Sequence, residues 1–320
     1  MNRSRRAIGY RQRVRLGVLD VGSNTVHLVV VDTVKGARPD PRSVYKATLR
    51  LAELVQDDGS LSQLAESKLL ASLKEALNVA EQEGVEELLA FATSAVRDAS
   101  NADHLIEQAK VQSGVSLKVL TGEDEARVTF LAVRRWVGWS AGELMVVDIG
   151  GGSLELARGA DEYPELATSL PLGTGRLTAQ FLSRTDPPKR ADIAELRAHL
   201  RHAFIELPRA SGWNTGTPSV YATSKTFRTL VRLARDGKDP SGAKLRFAVL
   251  DELSDRLLAM NAAERAALPG VSANRADLIA AGSVIALEAM IHFEWESVTV
   301  CPWALREGLT LRWLDTHAPL

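Results

Sequence analysis

The sequence predicts an α/β protein of two domains, and three observations carry that prediction. Strand-like apolar runs alternate with segments of helical periodicity along the chain. Its 320 residues, 45% hydrophobic and 25% charged, suit two globular domains with sizeable cores. The chain also states one local pattern twice: LGVLDVGSNT at 16–25 and MVVDIGGGSL at 145–154 each run an apolar strand into an Asp, an apolar residue, a Gly and then small side chains. The two aspartates, Asp20 and Asp148, lie 128 residues apart, about one domain's length, which points to a duplicated domain and not a short solenoid repeat.

In chain order, LGVLDV and VHLVVVD flank the first glycine turn as the two strands of a hairpin. The stretch LSQLAESKLLASLKEALNVAEQEG places Leu69, Leu73, Ala76, Leu77 and Ala80 on one helical face and ends at Gly84, a helix-stop residue. ELLAFATSAV reads as a strand running into a loop, ASNADHLIEQAKVQSG as a helix and LKVL as a strand. GEDEARVTFLAVRRW reads as a helix whose three opening acids complement the positive end of the helix dipole. WVGWSAG is a connector, packed by Trp136 and Trp139. The second half restarts with strands ELMVVDIGG and SLELARG, a helix after LPLGTG, strand SVYAT and helix SKTFRTLVRLAR. Helices then cover most of 249–292, followed by strand SVTVCP and a last helix, WALREGLTLRWL. Pro187, Pro188, Pro208 and Pro218, with Gly212 and Gly216, mark surface loops. The expected division is a basic tail at 1–15, a first domain at 16–123 and a second at 124–320, with the last helix at about 303–314 reaching back to the first.

Composition narrows the function classes. No apolar stretch approaches the roughly 18 to 20 residues needed to span a bilayer, so a membrane protein is not expected. The first fifteen residues hold six arginines and no acid, with no apolar core behind them as a signal peptide requires. They read as a disordered tail, with a salt-sensitive grip on a polyanion as the alternative and no sequence-specific nucleic-acid reading. The whole chain carries −1, so without those six charges the remainder stands at −7, and any anionic ligand must be held by local geometry. A single cysteine, Cys301, excludes an internal disulfide and a cysteine metal cluster and suits a reducing cytoplasm; it reads as a small buried residue at a strand end. His27, His104, His199, His202 and His292 lack metal-site spacing and read as surface or packing residues.

Two Asp-Gly hairpins facing each other across a cleft would aim two sets of backbone N–H groups at one ligand. Glycine permits close approach, and successive turn amides form an anion-binding nest. Gly22 and Gly150, Gly151 and Gly152 would supply the turns, and Ser23, Asn24, Thr25 and Ser153 side-chain donors to the same anion. A plain hairpin turn is the alternative for either copy alone; their pairing favours phosphate. A carboxylate beside a phosphate repels it unless a cation lies between, and Mg²⁺ is the usual bridge. Asp148 and Asp20 are therefore metal-ligand candidates, with backbone capping as the alternative. Glu155, seven residues beyond Asp148, can return across the hairpin to the same side of the turn, or be an exposed strand residue.

Six blocks occur in order: DVGSNTVHL, FATSAVRDASN, GEDEARVTFLAV, VVDIGGGSLE, LPLGTGRL and PWALREGL. On these the chain resembles the exopolyphosphatase and guanosine pentaphosphate phosphohydrolase family, in its short form, over about residues 15–314. The resemblance implies the actin-like ATPase (ribonuclease H-like) superfold, two related domains with a phosphate-binding cleft between them. It implies Mg²⁺-assisted release of orthophosphate from the end of inorganic polyphosphate, and a homodimer. It makes Glu125 the base that activates water, a role that residue type and position alone would give to dipole complementation. It sets Arg97 on phosphate, where a salt bridge to Asp98 or Asp103 is the plain alternative, and makes Arg275 a further phosphate contact. Asp148 and Glu155 match the metal-side carboxylates, and the glycines and hydroxyls above match the two phosphate loops.

Three departures qualify this. Where many relatives carry a glycine-rich GGT loop near the nucleoside position, residues 223–227 read TSKTF, which disfavours nucleotide substrates and offers Lys225 to a polyphosphate chain or to solvent. Longer relatives carry extra C-terminal domains, so a preference for short chains is expected. GGGSLE replaces the commoner GGGSTE, removing one hydroxyl. Guanosine pentaphosphate hydrolysis, an actin-fold sugar kinase or ATPase, and a non-catalytic polyphosphate or alarmone sensor are the other readings.

Overall fold

The structure, a computed structural model, describes residues 13–34, 38–207, 212, 213, 216–235, 237, 238 and 242–317. Most of the arginine-rich tail and Pro208 lie outside the described residues.

The first lobe is a mixed five-stranded sheet. Strands β1 (Val14–Val21) and β2 (Thr25–Thr33) form the hairpin on the first glycine turn, and β3 (Ser43–Thr48) extends it antiparallel. Helix α1 (Gln63–Gln82) crosses to β4 (Glu87–Ala92), which pairs parallel with β1. Short α2 (Ser94–Arg97) and α3 (Ala102–Ser113) then lead to β5 (Lys118–Val119), parallel to β4. Ser62 caps α1 by accepting from the Ala65 N–H at 3.3 Å, and Leu69, Leu73, Ala76 and Ala80 bury its inner face. Gly84 follows in the left-handed conformation, φ 68°, which is where a helix stop wants glycine.

Helix α4 (Gly122–Val137) joins the lobes. The second lobe opens with β6 (Leu144–Ile149), β7 (Leu154–Gly159) and β8 (Leu166–Leu170), then α5 (Thr174–Leu177) and α6 (Arg190–Ile205). It continues through β9 (Ser219–Thr223), α7 (Ser224–Ala234), β10 (Lys244–Arg246), α8 (Phe247–Ala259) and α9 (Ala262–Ala266). Helix α10 (Ala276–His292), strand β11 (Ser297–Val300) and helix α11 (Leu305–His317) complete it. The sheet orders are β3-β2-β1-β4-β5 and β10-β11-β9-β6-β7-β8. Read from its other edge the second is β8-β7-β6-β9-β11, the first sheet over again with matching parallel and antiparallel pairs, plus β10 as an extra edge. The duplication runs past the hairpins: Ala92-Thr93-Ser94 after β4 and Ala222-Thr223-Ser224 after β9 each turn a strand into a helix.

Helix α10, apolar on most of its circumference, is sheathed in the core of the second lobe, its one buried acid, Glu288, paired with Arg197 and Arg201, while α1 covers the first sheet. Leu309, Trp313 and Leu314 of α11 pack on Leu16, Val18 and Phe91, so the last helix sits against the first lobe's sheet. It also crosses α4 closely, since a Cβ on Gly308 would lie 2.1 Å from the Val128 carbonyl oxygen.

Several expectations need correcting. Strand β1 starts at Val14, so Arg15 is not tail: its Nε donates to Asp32 at 2.9 Å and its Nη1 to the Glu83 carbonyl at 2.7 Å. The stretch after β4 is a helical turn and not a loop. A division between 123 and 124 falls inside the first turn of α4. Trp136 meets Tyr221 edge-on at 6.3 Å, whereas Trp139 is 63% exposed and packs little. Strands β3, β8 and β10 and helix α6 stand where the sequence reading named no element. No described helix is long and apolar enough to cross a membrane.

Candidate active site

Both glycine turns close with the same bond. The Gly22 N–H donates to the Thr25 carbonyl at 2.9 Å, and the Gly150 N–H to the Ser153 carbonyl at 2.9 Å. The two turns face each other and touch. A Cβ on Gly151 would lie 2.5 Å from Asn24 Nδ2, and one on Gly152 2.5 Å from Ser94 Oγ and 2.7 Å from Ser23 Oγ. Only glycine lets the two loops meet at that range. Behind them, Gly173 rests on the second loop's backbone, and the Gly175 N–H donates to the Gly151 carbonyl at 2.8 Å. That is the work of the LPLGTG block. Ser23 and Ser94 share a buried hydrogen bond of 2.9 Å across the first lobe's two strand ends.

Between the loops lies a cleft of about 370 Å³. All but three of the residues singled out from sequence line it. Asn24 abuts Gly151, Gly152 packs behind against Ser23 and Ser94, and Arg97 reaches the cleft through Glu125. Asp148 and Glu155 are direct cross-strand partners on β6 and β7, so their side chains share a face. Thr223 donates to Asp148, and Ser169 Oγ to Glu155 Oε1 at 2.8 Å. Burial pushes the Asp148 carboxyl up to about 6, and burial together with the Asp148 charge raises Glu155.

Helix α4 delivers Glu125. Thr121 caps it, accepting from the Asp124 N–H at 3.1 Å, and Glu123 pairs with Arg127 on the surface. Of the three acids in that first turn, Glu125 alone is buried, 7% exposed, and it points into the cleft. Dipole complementation would have left it in solvent like its neighbours. Burial first, and then the charge of Glu155, raise its proton affinity; the Arg97 guanidinium, paired with it, opposes them. Arg97 Nε also donates to Asp98 at 3.1 Å, so the salt-bridge alternative and the approach to the site both hold for this side chain. Arg176 in turn bridges Asp98, at 2.6 Å, to the Gly152 carbonyl, at 3.1 Å.

Lys225 and Arg275 line the cleft with Arg228 and Arg232, and none of the four has a carboxylate partner among the described residues. Asp20 lines the cleft and accepts from Arg306 Nη1 at 3.0 Å, and among the described residues no group of three or more His, Cys, Asp or Glu is arranged to hold a metal. The acidic pair that remains, Asp148 with Glu155, suits a cation such as Mg²⁺, which takes one or two carboxylates and completes its shell with phosphate oxygens and water.

Sequence reasoning missed His27, Lys46, Thr223, Arg228, Arg232 and Arg306, all of them at the cleft or bonded to its residues. His27 was read as packing, yet it stands seven residues after Asp20 as Glu155 stands seven after Asp148. The repeat itself carried that signal. Cys301 is buried beside the same cleft, and burial raises its thiol.

Two lobes of one topology, with a pair of glycine loops meeting over a buried carboxylate, define a protein of the actin-like ATPase fold built to bind phosphate. The Ppx/GppA phosphatase family model matches residues 29–317. "Exopolyphosphatase 1" of Mycobacterium tuberculosis is 49% identical over 310 residues, 95% of this chain and 90% of the relative, and its Mycobacterium leprae counterpart is 49% identical over 314 residues. The crystal structure of an exopolyphosphatase from Cytophaga hutchinsonii superposes with a TM-score of 0.85 at 26% identity, over 95% of this chain and 98% of that one. An Aquifex aeolicus Ppx/GppA family member superposes with 0.79 at 27% identity, over 96% and 100%. The chain belongs to the Ppx/GppA phosphatase family.

Proposed function

We propose that the protein is an exopolyphosphatase that releases orthophosphate from the end of linear inorganic polyphosphate. One observation carries the reading: Glu125 is buried at the junction of the two phosphate loops with its proton affinity raised, as a general base needs. The terminal phosphate lies against the N–H group of Gly151 and the hydroxyls of Ser23, Thr25 and Ser153, with the Gly22 and Gly150 N–H groups holding the two turns closed. Glu125 takes a proton from a water as that oxygen bonds to phosphorus. The bridging P–O bond breaks, and its electron pair leaves on the shortened chain. Asp148 and Glu155 would hold Mg²⁺, whose charge neutralises the phosphate oxygens. Arg97, held beside the site by Glu125 and Asp98, serves the charge that develops on the phosphate oxygens.

Lys225, Arg228, Arg232 and Arg275 favour a linear polyanion over a nucleotide, because four cations line the cleft and offer a run of phosphates more partners than a base. Guanosine pentaphosphate remains the second substrate to assay. The family resemblance also supports a homodimer in a reducing cytoplasm, with the single thiol buried. The test is orthophosphate release with Mg²⁺ from tripolyphosphate, long-chain polyphosphate, guanosine pentaphosphate and ATP, by wild type and Glu125→Gln. Release from polyphosphate that falls by about 10² or more in the variant is expected. Binding without release would make the protein a sensor, and ATP turnover that needs an acceptor would make it a kinase.

A further inference from the structure

The duplicated sheets carry a duplicated row of side chains, and the two rows differ in charge. In the second lobe the row across β6, β7 and β8 is Asp148, Glu155 and Ser169, each the direct cross-strand partner of the next. In the first lobe the row across β1, β2 and β3 is Asp20, His27 and Lys46, paired in the same way. Direct partners project to one face of a sheet, and all three line the cleft. Arg306, from the first turn of α11, caps this row by donating to Asp20. The acidic row therefore stands at a formal −2, with both carboxyls ionised. With His27 neutral, the first-lobe row and Arg306 together stand at +1.

Two nitrogens on the basic side have no partner. His27 Nε2 and Arg306 Nε are both buried and unbonded, which is costly unless a ligand satisfies them. Lys46 has no carboxylate partner among the described residues. Burial, with Arg306 and Lys46 nearby, holds the imidazole of His27 down to about 3, so it is a neutral donor or acceptor and not a third cation.

We infer that Arg306, His27 and Lys46 form a second phosphate subsite, which grips the phosphate adjoining the one removed and so the leaving group of the reaction. The inference rests on the exopolyphosphatase reading and adds to it a division of labour between the copies: the acidic row serves the cation and the basic row serves the departing chain. A leaving phosphate gains negative charge as the bridging bond breaks, and donors fixed at that oxygen stabilise it where charge develops. Asp20 then acts as the anchor that aims Arg306.

The test is calorimetric binding of tripolyphosphate and of orthophosphate, in a Glu125→Gln background so that neither is consumed, with Lys46→Gln or Arg306→Lys added. Lys46→Gln alters an exposed side chain and leaves the fold intact; Arg306→Lys keeps a charge for Asp20 and removes the Nε donor. Tripolyphosphate, which reaches both subsites, is expected to bind about tenfold more weakly to either variant, while orthophosphate, held by the loops alone, binds unchanged. Equal loss for both anions, or loss for neither, overturns the subsite. Tripolyphosphate binding that depends on Lys46, in a protein whose wild type releases no orthophosphate, overturns the proposed reaction and leaves the subsite standing. Normal turnover with binding indifferent to Lys46 and Arg306 does the reverse, and no binding of tripolyphosphate at all overturns both.

Discussion

Ser224 shows at the scale of one residue how a strained backbone position leaves a physical trace. Its φ is 86°, a left-handed conformation that costs a side-chain-bearing residue about 1 to 2 kcal/mol. Ser224→Gly is therefore expected to raise stability by about 1 kcal/mol, read as a higher urea midpoint at unchanged slope. An unchanged midpoint would mean that the serine's contacts offset the strain. The aspartates, glycines and hydroxyls of the two loops were legible in the sequence because a hairpin turn is local, and residue type fixes it. For Glu155, strand alternation left an inward carboxylate and an exposed strand residue both open, and the resemblance chose the first; the pairing of β6 with β7 puts it directly beside Asp148. Arg306 was not legible, because its partner Asp20 lies 286 positions away and only the folded chain brings α11 to β1. The role of Glu125 came from the resemblance, and its burial separates it from the two acids beside it.

Among the elements, the second phosphate loop depends on a neighbour with no chemistry of its own. A Cβ at Gly173 would sit 2.3 Å from the Gly152 carbonyl carbon and 2.4 Å from that of Gly151, and backbone at that range cannot give way as a flexible side chain could. Gly173→Ala should displace the loop and lower orthophosphate release by about 10²-fold, since a shift of about 1 Å at a reacting centre costs that much. The readout is kcat beside a thermal melt; a variant with normal kcat would show that the loop tolerates the shift. Most elements could be read from periodicity. The three unread strands are all sheet edges: β3 and β8 bury no residue fully, and β10 is only three residues long with Leu245 alone turned inward, so their side chains give little apolar signal. Helix α6 is a different case. Leu196, Leu200 and Phe204 give it a helical stripe, and the prolines just before it drew the reading toward loop.

For the molecule as a whole, the cleft trades stability for function. Asp148 takes up its proton more readily in the folded state, at about 6 against an ordinary 3.8, so the folded protein binds more protons than the unfolded one across that interval. Stability must then fall as pH rises from about 4 to about 6, by about 2 kcal/mol from this group. The comparison that isolates it is urea unfolding of wild type and Asp148→Asn between pH 4 and pH 7. The variant should gain on the wild type as pH rises, and Mg²⁺ should close the gap. Parallel curves would deny the buried charge its cost. The two-lobe architecture was legible from the repeat and from the order of the six blocks; the sign reversal between the two rows was not, because it becomes visible only when strand partners are known.

The placement of α11 has a consequence in time as well as in space. A ribosome delivers the first lobe's sheet early, with Asp20 already turned inward, and delivers Arg306 only after both lobes' strands have been made. Until then the nascent first lobe carries an unpaired inward acid and an uncovered apolar face at Leu16, Val18 and Phe91. The same helix that closes this face supplies the guanidinium, so burial of the early-made sheet and arming of the cleft are one event.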